Sequence, residues 1–367
     1  MGQERKRILI VSSEFPPQPG GIGNHAYNLA LYLSKQKYIV TVIADQRSED
    51  GEEETSFDQK LPFSIVRIKR YNLRFIMYLK RIFKTYRFLK NTSSVIATGK
   101  FSLWNVSFLS FFCRVQTLAV IHGSEVNFKS ASLKKSIDIA LKRMDIVIAV
   151  STYTKKLVAH LNREVYVIPN GINLKDWEIS NISKKSIPGN PSITTVGRIS
   201  ERKGQLNVIK KLPVLLKKFP ELHYHCIGIP SQEEAFTQVA KDLKVDSHIT
   251  FHGSLDHEHM KEILSKSDIF VMLSSESKTG DVEGFGIAIL EANALGVPAI
   301  GSINCGIEDA INPNHSGILI DTNNTIQFEN ATTAILKDKN DFKSGAQDWA
   351  KRHNWSNIVK QYIRLIE

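Results

Sequence analysis

Short runs of β-branched residues alternate with helical patterns along almost the whole chain, and the alternation stops once and starts again. In the first half, residues 7–12, 38–44, 63–68, 94–98, 117–121, 145–150 and 165–168 read as strands, and 22–35, 73–89, 103–112, 130–143 and 153–161 as helices. Strand–helix–strand repetition implies a parallel sheet covered by helices on both faces. A polar, acidic stretch at 46–59 interrupts the pattern and reads as a mobile loop. Between 173 and 191, Ser, Asn, Lys and two prolines crowd together, the composition of a linker. The pattern then resumes with strands at 192–196, 222–227, 248–251, 269–273 and 298–301. Helices are expected at 204–219, 232–243, 256–265 and 286–295, and helical segments from there to the end, the last at 357–366. The fold expected is α/β: two Rossmann-like, doubly wound domains, residues 1–172 and 191–352, joined by a linker at 173–190 and facing across a cleft.

Two carboxylates, Glu283 and Glu291, flank a glycine-rich turn, Gly284-Phe285-Gly286-Ile287, that opens an apolar helix. A helix starting near Gly286 offers free backbone N–H groups and a positive dipole end, an anion seat. Glu283 then lies at the mouth of that seat and Glu291 about one and a half turns inside. A carboxylate cannot hold phosphate, but it accepts hydrogen bonds from vicinal hydroxyls such as those of a ribose. The segment after the first strand of the second half delivers Arg198 and Lys203, a guanidinium fork and a point charge suited to neighbouring phosphates. Gly20, Gly21 and Gly23, after the first strand of the chain, let backbone approach an anionic group. They do not form G-x-G-x-x-G, and only Asp45 stands near a ribose position, which argues against a nicotinamide site.

Hydrophobic content of 42% and charged content of 23% are those of a soluble globular protein. Cys113, Cys226 and Cys305 are scattered through apolar or small-residue settings, which reads as buried thiols in a reducing cytosol. No signal-peptide core follows the N-terminal residues, and no uncharged apolar run approaches the length of a membrane span. The net charge of +11 is uneven: no acidic residue occurs from Gln59 to Ser124, where Arg67, Lys69, Arg70, Arg74, Lys80, Arg81, Lys84, Arg87 and Lys90 accumulate. Within 73–89, Ile76, Leu79, Phe83 and Tyr86 recur at helical spacing among those cations, the character of an interfacial helix drawn to anionic lipid. No recognition motif or interleaved stacking pattern supports a nucleic-acid partner.

Arg198, Lys203, the Glu283/Glu291 pair, the Phe285-Gly286-Ile287 turn, Pro169-Asn170-Gly171-Ile172 and the Gly20-Gly21-Ile22 loop together resemble glycosyltransferase family 4. These are retaining enzymes of the GT-B fold that use nucleotide-sugar donors. The stretch from Gly280 to Gly286 most resembles the phosphatidylinositol- and glycan-directed mannosyltransferases. The resemblance implies that Arg198 and Lys203 bind the donor diphosphate and neutralise the leaving group. It implies that Glu291 binds the ribose, Glu283 the hydroxyls of the transferred sugar, and the backbone at Phe285, Gly286 and Ile287 phosphate or sugar oxygens. His122, in Ile121-His122-Gly123-Ser124-Glu125, matches the histidine that faces the donor sugar. The implied catalytic set is Glu283, His122, Arg198 and Lys203, with Gly20 and Gly21 among the donor-binding residues. The first domain is implied to be the acceptor side, with a C-terminal helix at about 353–367 packing back on it.

No D-x-D occurs, and two cations with a helix dipole can stabilise the leaving group, so neither metal nor cofactor is expected. Two departures leave base recognition open: Ile227-Gly228-Ile229-Pro230 stands where the family often has Gly-x-Gly-Pro, and Asn173 where Asp is common. The expectation is a cytoplasmic glycosyltransferase, peripheral on the inner face of the cytoplasmic membrane. It would transfer a hexose, best matched by mannose from GDP-mannose, to a lipid-linked or glycan acceptor of a surface polysaccharide, lipopolysaccharide or glycolipid. A UDP-sugar donor (glucose, galactose or N-acetylglucosamine) is the alternative. An idle nucleotide-sugar-binding protein is a different class, favoured only by loss of Arg198, Lys203 or Glu291, all of which are present.

Overall fold

The computed structural model describes residues 5–71, 73–179, 186–277 and 280–367, with Arg74 described by its backbone alone. Residues 1–4, residues 180–185 of the expected linker and the Arg74 side chain lie outside the described residues. The chain separates into two compact units: unit 1 is Met1–Gly171 with Trp355–Glu367, and unit 2 is Ile172–Asn354.

Unit 1 holds β1 (Arg7–Ser12), β2 (Ile39–Asp45), β3 (Ser64–Ile68), β4 (Ser94–Thr98), β5 (Gln116–Ile121), β6 (Ile146–Ala149) and β7 (Tyr166–Val167). Its helices are α1 (Gly21–Lys35), α2 (Glu52–Asp58), α3 (Arg74–Leu89), α4 (Lys100–Leu109), α5 (Ala131–Arg143) and α6 (Thr152–Leu157). Unit 2 holds β8 (Ser192–Val196), β9 (His223–Ile227), β10 (Ile249–Phe251), β11 (Ile269–Met272), β12 (Ala299–Ser302) and β13 (Gly317–Ile320). Its helices are α7 (Gln205–Ile209), α8 (Leu212–Lys218), α9 (Glu233–Asp242), α10 (His257–Lys266), α11 (Ile287–Ala294), α12 (Thr325–Lys337) and α13 (Lys339–Arg352). The last helix, α14 (Trp355–Ile366), belongs to unit 1 and packs on α1.

Both sheets are parallel, ordered β3-β2-β1-β4-β5-β6-β7 and β10-β9-β8-β11-β12-β13. Continuous apolar runs such as Ile8–Val11 and Ile269–Met272 are buried along their length, as strands covered on both faces require. The winding direction reverses between β1 and β4 in unit 1 and between β8 and β11 in unit 2. In doubly wound sheets the loops leaving the carboxyl ends of such strands carry the ligand groups.

Four expectations are corrected. The acidic 46–59 stretch is not a loose loop but carries α2, whose first turn (Glu52, Glu53, Glu54) suits the positive end of the helix. Glu54 is buried and accepts hydrogen bonds from the Arg47 and Ser48 N–H groups, 2.8 Å each. Burial alone would raise its carboxyl, yet those bonds and the Ser48 hydroxyl hold it down at about 2. The single helix expected at 204–219 is two, because Pro213 enters the first turn of α8 and cannot continue α7. The stretch after 301 is not all helical: β13 adds four residues to the sheet. Cys113 is half-buried, whereas Cys226 and Cys305 are buried.

The basic run is also thinned from within. Arg81 is buried and pairs with Asp45, and Arg67 pairs with Asp58 at 2.7 Å. Neither belongs to the solvated surface that the spacing suggested, and Asp45 is committed to a structural ion pair.

Candidate active site

In unit 2 the loops after β8 and β11, adjacent strands at the switch point, bring opposite charges together. Arg202 and Lys203 sit in a single 3-10 turn, Glu201–Lys203, closed by Gly204 at φ +85°. A Cβ on Gly204 would lie 2.1 Å from the Leu273 carbonyl oxygen, so only glycine lets this turn rest against the end of β11. The Ser274 hydroxyl donates to the Arg202 carbonyl and ties the same two loops. The Lys203 ammonium lies 2.7 Å from Glu283 Oε2, and the Arg202 guanidinium 2.5 Å from the same oxygen. Arg202 also reaches Asp281 at 2.9 Å through Nε.

The Glu283 side chain is only 12% exposed. Burial by itself would raise its carboxyl; Lys203 and then Arg202 outweigh that and hold it below the usual carboxylate range. Gly286, at φ +86°, is the N-cap of α11, which therefore opens at Ile287 with no side-chain cap on its free N–H groups. Phe285 is buried and Ile287 half-buried. Glu291 is the fifth residue of α11, about one turn in, slightly closer to the helix mouth than expected. It is half-buried, and burial pushes its carboxyl up to about 7 while the nearby Lys203 charge pulls the other way. The Arg198 guanidinium is exposed, and no hydrogen bond or ion pair holds it among the described residues.

Unit 1 offers a neutral counterpart. Gly20 and Gly21 form the turn between β1 and α1; Gly20 is extended at φ 170°, and nothing lies within 4 Å of a Cβ placed on Gly21. His122, at the end of β5, is half-buried, with Nε2 2.7 Å from the Thr98 hydroxyl at the end of β4. Its backbone N–H donates to Glu125 Oε1 at 2.6 Å. Burial pushes the imidazole down to about 3, so it is neutral at physiological pH. Arg202, Asp281, Thr98 and His25 join these residues only in the structure. Arg202 stands between Glu201 and Lys203, and nothing local marks it apart from those neighbouring charges. Among the described residues no group of three or more His, Cys, Asp or Glu side chains is placed to hold a metal ion.

Two parallel, doubly wound units, each with its ligand-bearing loops at a switch point, define the GT-B class of glycosyltransferase fold. Solved structures share it: Anabaena HepE in complex with UDP and glucose aligns with a TM-score of 0.78 at 16% identity, covering 99% of both chains. A glycosyltransferase from Rickettsia africae aligns with a TM-score of 0.79 at 19% identity, covering 99% of this chain and 98% of that one.

The chain belongs to the glycosyl transferases group 1 family, whose model matches residues 178–361, and residues 19–176 match the Glycosyltransferase Family 4 model. It is similar to a GDP-mannose-dependent alpha-(1-6)-phosphatidylinositol monomannoside mannosyltransferase of Mycobacterium tuberculosis, 23% identical over 91% of this chain and 90% of that protein. The enzyme of the same description from Mycolicibacterium smegmatis is 24% identical, over 95% of this chain and 94% of that protein.

Proposed function

We propose that this GT-B glycosyltransferase is a retaining hexosyltransferase that takes mannose from GDP-mannose to a lipid-linked or glycan acceptor in the synthesis of a surface polysaccharide, lipopolysaccharide or glycolipid. The observation that carries the reading is the cluster of Lys203, Arg202 and Glu283 beside the uncapped start of α11, with Glu291 one turn behind. Arg198 and Lys203 with the α11 N–H groups would take the diphosphate and stabilise charge on the leaving nucleotide without metal. Glu291 would accept from the ribose and Glu283 from sugar hydroxyls, with the neutral His122 and the Gly20–Gly21 turn addressing the sugar. Retention would follow from same-face attack, the donor phosphate accepting the acceptor's proton. Mannose rests on the mycobacterial relatives. A UDP-sugar donor is the second reading, favoured by the fold match to HepE bound to UDP-glucose.

The acceptor side would work at an anionic membrane face inside the cell. No helix among the described residues is long and apolar enough to cross a membrane. On α3, however, Phe75, Leu79 and Phe83 recur every fourth residue and are 67%, 50% and 62% exposed. Lys80 and Arg87 are exposed on the same helix. Apolar side chains with flanking cations suit a headgroup layer. Flotation with anionic vesicles at low salt tests this, and absence of binding removes the membrane surface from the proposal.

Thermal unfolding with GDP, UDP, GDP-mannose and UDP-glucose tests the donor. A ligand at a hundred times its Kd adds about 2.7 kcal/mol. Stabilisation by GDP and GDP-mannose is expected; stabilisation by UDP compounds alone overturns mannose in favour of the second reading. Turnover undiminished by EDTA is expected, and its loss overturns metal independence.

A further inference from the structure

Immediately behind His122 lies a second imidazole for which the proposed chemistry has no use. His25 is the fifth residue of α1, fully buried, and its ring centroid is 4.9 Å from that of His122 at 78°. Its Nε2 shares a hydrogen bond of 2.9 Å with the hydroxyl of Tyr362 on α14. Its Nδ1 is buried without a partner among the described residues. The same ring meets Trp355, the first residue of α14, edge-on at 5.4 Å, and Trp355 in turn stacks on Tyr32 of α1 at 6.4 Å. A leucine would fill such a place without stranding a polar nitrogen, so the histidine calls for an explanation.

From this geometry we infer that His25 and Tyr362 are positioning residues: the Tyr362 hydroxyl sets the rotation of the His25 ring, and that ring sets the orientation of the His122 imidazole. The inference rests on the proposed role of His122. Tyr362 supplies the one polar tie of the His25 side chain among the described residues, so losing it frees the ring to turn. Among the described residues, the His122 ring is hydrogen-bonded to Thr98 alone. Any rotation of the ring packed 4.9 Å away is therefore passed to it. Burial keeps His25 neutral as well, with the neighbouring His122 adding to that effect, so the pair meets no charge repulsion at physiological pH. A displacement of the order of 1 Å at a group that orients substrate can cost about a hundredfold in rate. The C-terminal helix thereby becomes part of the sugar-side apparatus through one hydroxyl.

The test is a double-mutant cycle on nucleotide release from GDP-mannose or UDP-glucose, whichever is turned over. Tyr362→Phe removes the hydroxyl and keeps the ring. It is expected to lower kcat about tenfold and leave the donor KM within about twofold, and to have no further effect in a His122→Ala background. His25→Gln, which keeps a hydrogen-bonding group toward Tyr362 but loses the ring against His122, should show the same dependence on background. In protein labelled at histidine, the His122 ring 15N shifts should move in Tyr362→Phe. They should stay in Tyr224→Phe, where the hydroxyl lost donates to Thr195 in unit 2. Equal rate factors in both backgrounds, or unmoved His122 shifts, overturn the inference and leave His122 in place. Full turnover in His122→Ala overturns both the inference and the role of His122.

Discussion

The candidate residues of the two units are of opposite chemistry. In unit 2 the loops after β8 and β11 collect two paired cations, two carboxylates and an uncapped helix end, with a third cation, Arg198, exposed close by. In unit 1 the candidate groups are the Gly20–Gly21 backbone after β1, the Thr98 hydroxyl at the end of β4 and, after β5, the His122 imidazole that burial keeps neutral. A fold common to both units does not dictate this difference; the side chains placed at each switch point do. Fixed charges are the means of holding a diphosphate and a leaving nucleotide, whereas neutral donors and acceptors can orient a sugar without competing for those charges.

The sharpest way to break the contrast is to remove the lysine. Lys203→Ala is expected to lower turnover roughly a hundredfold to a thousandfold, the scale of losing one preorganised charge-stabilising group. Arg202 still pairs with Glu283 in that variant, so the thermal midpoint should move little. Steady-state kinetics beside thermal unfolding separates the two effects. Turnover within threefold of the parent would remove Lys203 from the leaving-group role.

Much of this frame was visible in the chain itself. Among the described residues the β-branched runs mark twelve of the thirteen strands, and the inner ones, such as β1 and β11, are continuously apolar because both faces are buried. β13 escaped because Gly317–Ile320 is four residues long and follows a polar Asn-Pro-Asn-His-Ser stretch. α2 escaped because its key acid, Glu54, is buried by folding, and composition reads an acid as solvated. At the site, Arg198, Lys203, Glu283 and Glu291 stood out as charges beside glycine turns. The contact between Lys203 and Glu283 spans eighty residues and depends on β8 and β11 being neighbours, which no local pattern states. His25 carries no local signal, because its partners Tyr362 and Trp355 lie more than three hundred residues away.

A second test exploits the Glu291 carboxyl of unit 2, which burial raises to about 7 from an ordinary 4.5. The folded protein therefore holds a proton there that the unfolded chain has lost between those values. This group's contribution to stability accordingly falls as pH rises from about 4.5 to 7 and then levels off. A ribose hydroxyl donates best to the ionised carboxylate, so nucleotide affinity should rise from pH 6 to pH 8 by up to about tenfold. Calorimetric titration of wild type and Glu291→Gln checks both trends, and the variant should lose them. Persistence of the affinity rise in Glu291→Gln would assign it to another group. His122, which burial holds near 3, should contribute no such titration.

The smallest expected effect concerns Arg202. If a diphosphate draws the Lys203 ammonium away, as proposed, Glu283 needs another partner, because a buried carboxylate left unpaired is strongly destabilised. Arg202 already occupies that place at 2.5 Å, anchored on its far side by the 45%-exposed Asp281. Arg202 is itself 24% exposed, so solvent weakens the pair, and its loss should cost about 1 kcal/mol. Arg202→Gln should therefore lower kcat/KM only about fivefold, with a poorer donor KM as Glu283 loses its fixed position. Arg202→Lys should recover part of this, since a point charge cannot span Glu283 and Asp281 as the guanidinium fork does. A loss as large as that in Lys203→Ala would make Arg202 a phosphate ligand in its own right. No loss at all would mean that Glu283 needs no second cation, and the charge-dense design of unit 2 would then rest on the lysine alone.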